Sequence, residues 1–376
     1  MGEYSNVHAT LADGLRELGH TVTVASNGDF WKDYPRDIDL ARRDGKWGGV
    51  SLMARLLRSL PHMVGYDVVQ VINPMFVELK AARILPLYCF LRRHNRRVVL
   101  CAMGMDYYWV HECCTRKPLR YSDFNIGAEL RTNADALRER ADWLGTDKER
   151  LNRLVADDCD AIVAGLYEYW ACYQPLFPGK TYFVPLPIKK KPIDSVLADK
   201  RASGQPLRVF IGINRSRSEY KGTDIMLRAA QAVSQRYPGR MELRVAESVP
   251  FAQYVQMMCG SDAILDQLYS YTPSMNPLEA MSRGIICIGG GEPENYEILG
   301  EHDLRPIVNV EPTYESVCQQ LEHLVLHPEL LSGLQHDSVA YVTRHHDYLK
   351  VARQYESIYR GLLGTPCACP ARDEAL

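Results

Sequence analysis

The run Asn214-Arg215-Ser216-Arg217-Ser218-Glu219-Tyr220-Lys221-Gly222-Thr223-Asp224 follows the strand-like LRVFIGI and opens a helical stretch. Two arginines and a lysine gathered at a helix start suit a phosphate. The helix dipole and its free N–H groups add to the side-chain charge. A solvated basic loop with Thr223 as an ordinary N-cap is the plainer account. A second group is Ser274-Met275-Asn276-Pro277-Leu278-Glu279, which leads through Arg283-Gly284 into IICI and Gly289-Gly290-Gly291. Pro277 suits the first turn of a helix. Glu279 would then lie in that turn, at the mouth of a crevice, where a carboxylate can accept from the paired hydroxyls of a ribose. The N–H groups of Ser274 to Asn276 could meet a phosphate or a sugar, and the glycines permit close backbone approach. The plainer account is that Glu279 offsets the helix dipole and the glycines turn the chain.

These groups need elements to hold them. Val7, Leu11, Leu15 and Leu18 recur at helical spacing, with Ser5 as a candidate N-cap and Gly19 just past the end. Thr21–Ser26 reads as a buried strand, followed by strands at Val68–Ile72, Arg97–Ala102, Ala161–Ala164 and Thr181–Val184. A second series covers Leu207–Ile213, Glu242–Val245, Ala263–Leu268, Ile285–Ile288 and Pro306–Val310. Helical stretches such as Thr223–Arg236 separate them. Alternating β and α predicts parallel sheets with helices on both faces. Lys189-Lys190-Lys191-Pro192 and the polar stretch to Pro206 read as a linker. The expected architecture is α/β, with two Rossmann-like doubly wound domains, 1–190 and 205–345. A last helix over 346–363 packs back on the first domain, and a structureless tail covers 364–376. A ligand belongs between the domains, at the carboxyl ends of the strands. Such a domain normally opens with a central strand, whereas here a helix begins almost at residue 5. The first domain is therefore expected to lack its first strand, with the natural sequence longer at this end.

At 376 residues, 24% charged and a formal charge of −2, the chain lacks the basic excess of a nucleic-acid binder. No apolar run is long enough to span a bilayer, and no signal peptide is evident. The 11 cysteines include no CxxC pair, so free buried thiols in a reducing cytoplasm are expected rather than zinc or disulfides. The DxD strings Asp37-Ile38-Asp39 and Asp158-Cys159-Asp160 read as structural turns. The basic RRHNRR at the end of the 76–97 segment could rest on an anionic leaflet, or simply close a helix with cations.

The strings YKGTDIMLRAA and NPLEAMSRGIICIGG resemble, in order and context, the C-terminal domain of family 4 glycosyltransferases, which are retaining GT-B-fold enzymes. HATLADGLRELGHTVTVAS resembles that family's first helix and second strand, so the resemblance covers most of the chain. It implies that Lys221 grips a donor diphosphate, with Arg215 or Arg217 as its partner. Glu279 matches the ribose-binding second glutamate of the family's Glu-x7-Glu pair. The first glutamate of that pair falls at Tyr271, a departure that Asp266 or Ser270 could offset. Ser274, Met275, Asn276 and Leu278 belong to the same donor loop, and Gly2 falls near the family's glycine-rich loop. Where the family often shows a histidine after the fourth strand, this chain has Gly104-Met105-Asp106-Tyr107-Tyr108-Trp109. Asp106 is the expected acceptor-facing group, with His111 as second candidate and the three aromatics able to stack on a sugar. The implied partners are a nucleotide-sugar donor and a glycan or lipid-linked acceptor. No cofactor or metal is implied. A non-catalytic nucleotide-sugar binder and a GT-B-fold nucleotide-sugar epimerase are the alternatives.

Overall fold

Two separate all-parallel sheets run through the molecule. The computed structural model describes residues 1–191, 205–247, 249 and 251–364. Strands β1 (Ala25–Ser26) and β2 (Ile38–Asp39) pair in parallel. Next come β3 (Val68–Val71), β4 (Arg97–Ala102), a small antiparallel hairpin of β5 (Asn125–Ile126) and β6 (Glu129–Leu130), β7 (Ala161–Ala164) and β8 (Thr181–Phe183). The first main sheet has the order β3-β4-β7-β8. Strands β4 and β7 are almost wholly buried, as their uninterrupted apolar sequences require when helices cover both faces.

The second sheet holds β9 (Leu207–Ile213), β10 (Met241–Glu247), β11 (Ala263–Leu265), β12 (Ile286–Gly289) and β13 (Val308–Asn309). Its order is β10-β9-β11-β12-β13. The chain leaves β9 towards one side for β10 and returns on the other for β11. That reversal opens a crevice beyond the carboxyl ends of β9 and β11.

The helix Val7–Glu17 begins as its apolar spacing predicts, but Ser5 is not its cap. Asn6 precedes the helix in the left-handed region, and the Glu3 carboxylate accepts from the N–H groups of His8 and Ala9 at 3.2 and 2.8 Å. Gly19, at φ +90°, ends the helix with its N–H on the Arg16 carbonyl. The Thr21–Ser26 strand is laddered only over its last two residues. The reason lies beside it. Met1 and Gly2 occupy the space between β1 and β3: Gly2 N–H donates to Ala25 O at 2.9 Å, Ile72 N–H donates to Met1 O at 2.9 Å, and the Met1 amino group meets Gln70 O. No strand among the described residues pairs with the rest of the inner edge of 21–24.

The last helix, Tyr348–Leu363, packs on Val7–Glu17. A Cβ at Gly14 would stand 2.8 Å from the Ala352 Cβ, so only glycine admits this approach. Most of the expected linker and the tail from 365 lie outside the described residues. The nine described cysteines are all free thiols. No helix among the described residues is long and apolar enough to cross a membrane. In the basic segment, Arg92 pairs with Asp158 and Asp160, Arg96 with Asp67 and Arg97 with Asp160. Much of the charge expected to face a leaflet is therefore neutralised within the fold.

Candidate active site

Lys221 ends the short helix Ser218–Lys221 after β9, and its carbonyl accepts from Leu268 N–H, just after β11. The lysine therefore stands at the reversal of the second sheet. Burial of its ammonium lowers its pKa; Asp266 pulls it back up, and Arg217 pushes it down again. No carboxylate among the described residues comes within 4 Å of either Lys221 or Arg217. Arg215 points elsewhere. It forms an exposed ion pair with Glu247 at the end of β10, so of the two arginines the sequence offers, Arg217 is the one in the field of Lys221.

Asp266 follows β11. Its carboxyl is pushed up to about 6 by burial, against the pull of Lys221. Its Oδ2 is enclosed and has no hydrogen-bond partner. Ser270 differs: its hydroxyl is committed to Glu168 and to the Thr272 carbonyl.

The helix after the donor loop covers Met275–Ser282 and starts two residues before Pro277. Glu279 is thus in its second turn, not its first, as the proline had suggested. Half-buried, Glu279 bonds Arg283 at 3.1 Å and lies in the electrostatic field of Tyr34 from the first domain. Ser274 precedes the helix in extended conformation without a side-chain cap bond, and its carbonyl accepts from Leu278 N–H. Leu278 is wholly buried and its N–H is used, so neither end of it can serve a ligand. Asn276 holds the Tyr254 hydroxyl at 2.8 Å, and Met275 is buried. The glycines after β12 answer to packing: a Cβ on Gly290 would fall 2.0 Å from the Ser270 carbonyl oxygen.

Tyr271 does not replace a sugar-binding carboxylate. It is 1% exposed, its hydroxyl accepts from Arg120 N–H at 2.6 Å, and its ring packs on Tyr121 at 4.8 Å. This is a contact between domains. Around it, Arg120 bonds Glu292 and Glu294, and Glu168 receives the N–H groups of Tyr271 and Thr272 and the Thr272 hydroxyl. Asp123 accepts from the Tyr220 hydroxyl, and Arg131 donates to the carbonyls of Glu219 and Tyr220. Residues 119–131 of the first domain thus bind the loop that carries Lys221. Nothing in their local sequence marks them, because each acts across the crevice on a residue about 90 to 170 positions away.

The acceptor side corrects the sequence. Asp106 is fully buried. Its Oδ1 caps the helix Tyr107–Cys114 by accepting from Trp109 N–H, and its Oδ2 accepts from the Tyr173 hydroxyl. Tyr107, Tyr108 and Trp109 are core residues. His111 pairs with Glu112 on the same helix. Gly2, at φ +77°, is held between Ala25 and Ile72, where a Cβ would stand 2.5 Å from the Ile72 Cγ2. Lys32 of this domain lies in the electrostatic field of Lys221 and bonds Asp29 at 2.6 Å. Among the described residues no three His, Cys, Asp or Glu side chains are grouped to hold a metal ion.

No protein-family model matches the chain, and no curated protein matches it. Solved structures do. A sucrose-phosphate synthase from Thermosynechococcus elongatus is similar over 96% of this chain and 94% of its own, at 12% identity and a TM-score of 0.60. The fold is GT-B. HepE from Anabaena, solved with UDP-glucose, is similar over 97% of both chains at 13% identity and a TM-score of 0.57. S. aureus TarM, solved with UDP, matches 82% of this chain at 7% identity and a TM-score of 0.54. The chain spans 59% of that protein's length. A Listeria monocytogenes protein assigned as a UDP-N-acetylglucosamine 2-epimerase is also similar, at 12% identity and a TM-score of 0.52.

Proposed function

We propose that the chain is a glycosyltransferase. It moves a sugar from a nucleoside-diphosphate-sugar to a glycan or lipid-linked acceptor, with retention of configuration, in cell-surface polysaccharide or glycolipid synthesis. One observation carries the reading: Lys221 and Arg217 stand together at the sheet reversal without a carboxylate partner. Two neighbouring cations repel, Lys221 half-buried and Arg217 exposed, and an anion bound between them relieves that repulsion. A diphosphate supplies that charge. In such a reaction the leaving diphosphate carries the developing negative charge, so fixed cations do most of the catalytic work.

In this reading Glu279 takes the ribose hydroxyls. The unbonded Oδ2 of Asp266 takes a hydroxyl of the transferred sugar, the task for which Tyr271 is unfit. Retention and the acceptor class rest on the family resemblance, and no metal is required for the charge to be met.

Thermal shift with UDP, GDP and their sugars, followed by product analysis by NMR, tests the proposal. A nucleotide-dependent shift with transfer to an acceptor, and the same anomer in donor and product, is the expected result. A shift without turnover would mark a binder. An acceptor-independent change at the sugar C2 would mark an epimerase, the reading that the Listeria structure favours. Lys221→Ala and Glu279→Ala should each abolish donor binding. Wild-type affinity in both would place the site elsewhere.

A further inference from the structure

The five most exposed large apolar side chains among the described residues are Phe30, Trp31, Trp47, Val50 and Leu57. Each is at least 58% exposed, whereas Leu137, the next in order, is 47% exposed. Single exposed apolar residues need no cause, but a concentration of them within one short stretch marks a contact surface. Three of the five belong to one element, the helix Gly48–Ser59 and the residue before it. That helix turns Leu52 and Leu56 into the core of the first domain. Val50, Ala54 and Leu57 stand at i, i+4 and i+7 and form a second row, open to solvent. A helix apolar on two faces has one face more than its own domain covers.

Charge says what covers the second face. Residues 40–59 hold five bases and one acid, Asp44. Arg55 is taken by Asp39. Arg42, Arg43, Lys46 and Arg58 are exposed, and none of them enters an ion pair among the described residues. Glu78, from another element, accepts only from the Arg42 backbone N–H, at 2.8 Å. The first two arginines lie against the helix start, because a Cβ on Gly48 would collide with the Arg43 carbonyl oxygen. Cations therefore flank Trp47 and the apolar row at both ends of the helix. The contrast with 92–97 is direct. There Arg92, Arg96 and Arg97 are paired within the fold, and here the charge is left over.

We propose that this face docks on an anionic lipid bilayer. The helix lies in the plane of the headgroups, with Trp47, Val50 and Leu57 inserted and the four cations on the lipid phosphates. A tryptophan beside an aliphatic row, with cations around it, suits the boundary between headgroup and acyl chain. A second copy of the chain would set these cations against their own kind. A glycan offers nothing to the aliphatic row. The helix follows β2, and the loop with Phe30 and Trp31 follows the parallel strand β1, so both leave the sheet at its carboxyl end. Tyr34, which ends that loop, lies in the field of Glu279 across the crevice. A bilayer on this face therefore borders the crevice mouth, where an acceptor carried by a lipid would enter. That use rests on the transferase reading; the docking itself does not.

The test is co-sedimentation of the full chain with vesicles of phosphatidylcholine alone or with about 30% phosphatidylglycerol. Binding to the anionic vesicles at about 50 mM NaCl, at least tenfold tighter than to the neutral ones and lost at about 500 mM, is the expected result. Each cation near such a surface raises the partition about fivefold, so Arg42→Gln with Arg43→Gln should weaken it by about 25-fold. Trp47→Ser with Val50→Ser and Leu57→Ser should weaken it at least tenfold at unchanged Tm, since these side chains are exposed. Leu326→Ser, an exposed apolar site of the second domain, should change nothing. No binding to anionic vesicles, or full binding by the triple serine variant, would overturn the proposal. So would self-association that the triple variant abolishes, which would give the face to a second copy. Polyglutamate bound as tightly as the anionic vesicles would also overturn it, in favour of an acidic protein partner. UDP binding is followed in parallel by thermal shift. A UDP shift without vesicle binding strikes the docking and leaves the transferase reading standing, and vesicle binding without a UDP shift does the reverse.

Discussion

The Glu168 carboxylate of the first domain accepts the Thr272 hydroxyl of the second at 2.6 Å, in a setting where both residues are buried. The same carboxylate also takes the N–H groups of Tyr271 and Thr272 and the Ser270 hydroxyl. One side chain of one domain thus organises the loop that precedes the donor helix of the other. Burial raises the Glu168 pKa, and these donors resist that rise.

Glu168→Ala leaves two backbone N–H groups and the Thr272 hydroxyl without their acceptor in a buried setting, while the Ser270 hydroxyl keeps the Thr272 carbonyl. The expected loss is about 3–5 kcal/mol in urea unfolding. Glu168→Gln keeps an acceptor oxygen and should lose about half as much. If Glu168→Ala unfolds at the wild-type urea midpoint, the domains are not held together here.

The two arginines of the basic loop should separate cleanly. Arg217 shares the field of Lys221, whereas Arg215 is paired with Glu247 at the exposed end of β10. Arg217→Ala should weaken UDP binding by about 10–100-fold, the value of a charge-assisted contact of about 1.5–3 kcal/mol. Arg215→Ala should change it less than about threefold, as for an exposed ion pair. Isothermal titration calorimetry decides, and the reverse order would move the anion site to the β10 side.

That choice also shows how far the sequence could be read. Uninterrupted apolar runs such as 97–102 and 161–164 announce buried parallel strands, and the structure returns them at the same bounds. The position of Lys221 follows from the basic loop after the strand 207–213, whereas Asp266 reads as part of a strand over 263–268 that the structure ends at Leu265. What is not legible depends on distant partners. Tyr271 reads as a failed catalytic position until Arg120 and Tyr121 are seen against it. Asp106 reads as an exposed strand-end carboxylate until Tyr173 closes over it. In both cases the deciding contact comes from a segment whose proximity only the tertiary fold creates.

Asp106 therefore carries a prediction about stability rather than turnover. Asp106→Ala removes an N-cap, about 1 kcal/mol, and strands the buried Tyr173 hydroxyl, for a total of about 2–4 kcal/mol. Asp106→Asn keeps the cap and should lose about 1 kcal/mol. Sugar transfer by the folded fraction should be unchanged in both. A hundredfold fall in kcat at wild-type Tm would return Asp106 to the acceptor site.

Glu3 makes the first domain sensitive to pH. Its carboxyl caps the first helix, yet burial, aided by Asp29, pushes its pKa up to about 7. In the unfolded chain it titrates near 4.3. Between those values the folded state binds the extra proton, so stability falls as pH rises. The contribution is complete below about 4.3 and is lost through 7, for a total of roughly 4 kcal/mol. His8 and His346 act in the opposite sense, because burial lowers them to about 3 and about 4 and stability then grows as pH rises towards 6.5. The wild-type curve mixes these trends, so the difference between wild type and Glu3→Gln isolates the carboxyl. Urea unfolding from pH 4.5 to 8 should show that difference shifting in favour of Glu3→Gln by about 2–3 kcal/mol. A flat difference would mean that the Glu3 carboxyl titrates as an ordinary exposed acid and that the helix start is open to water.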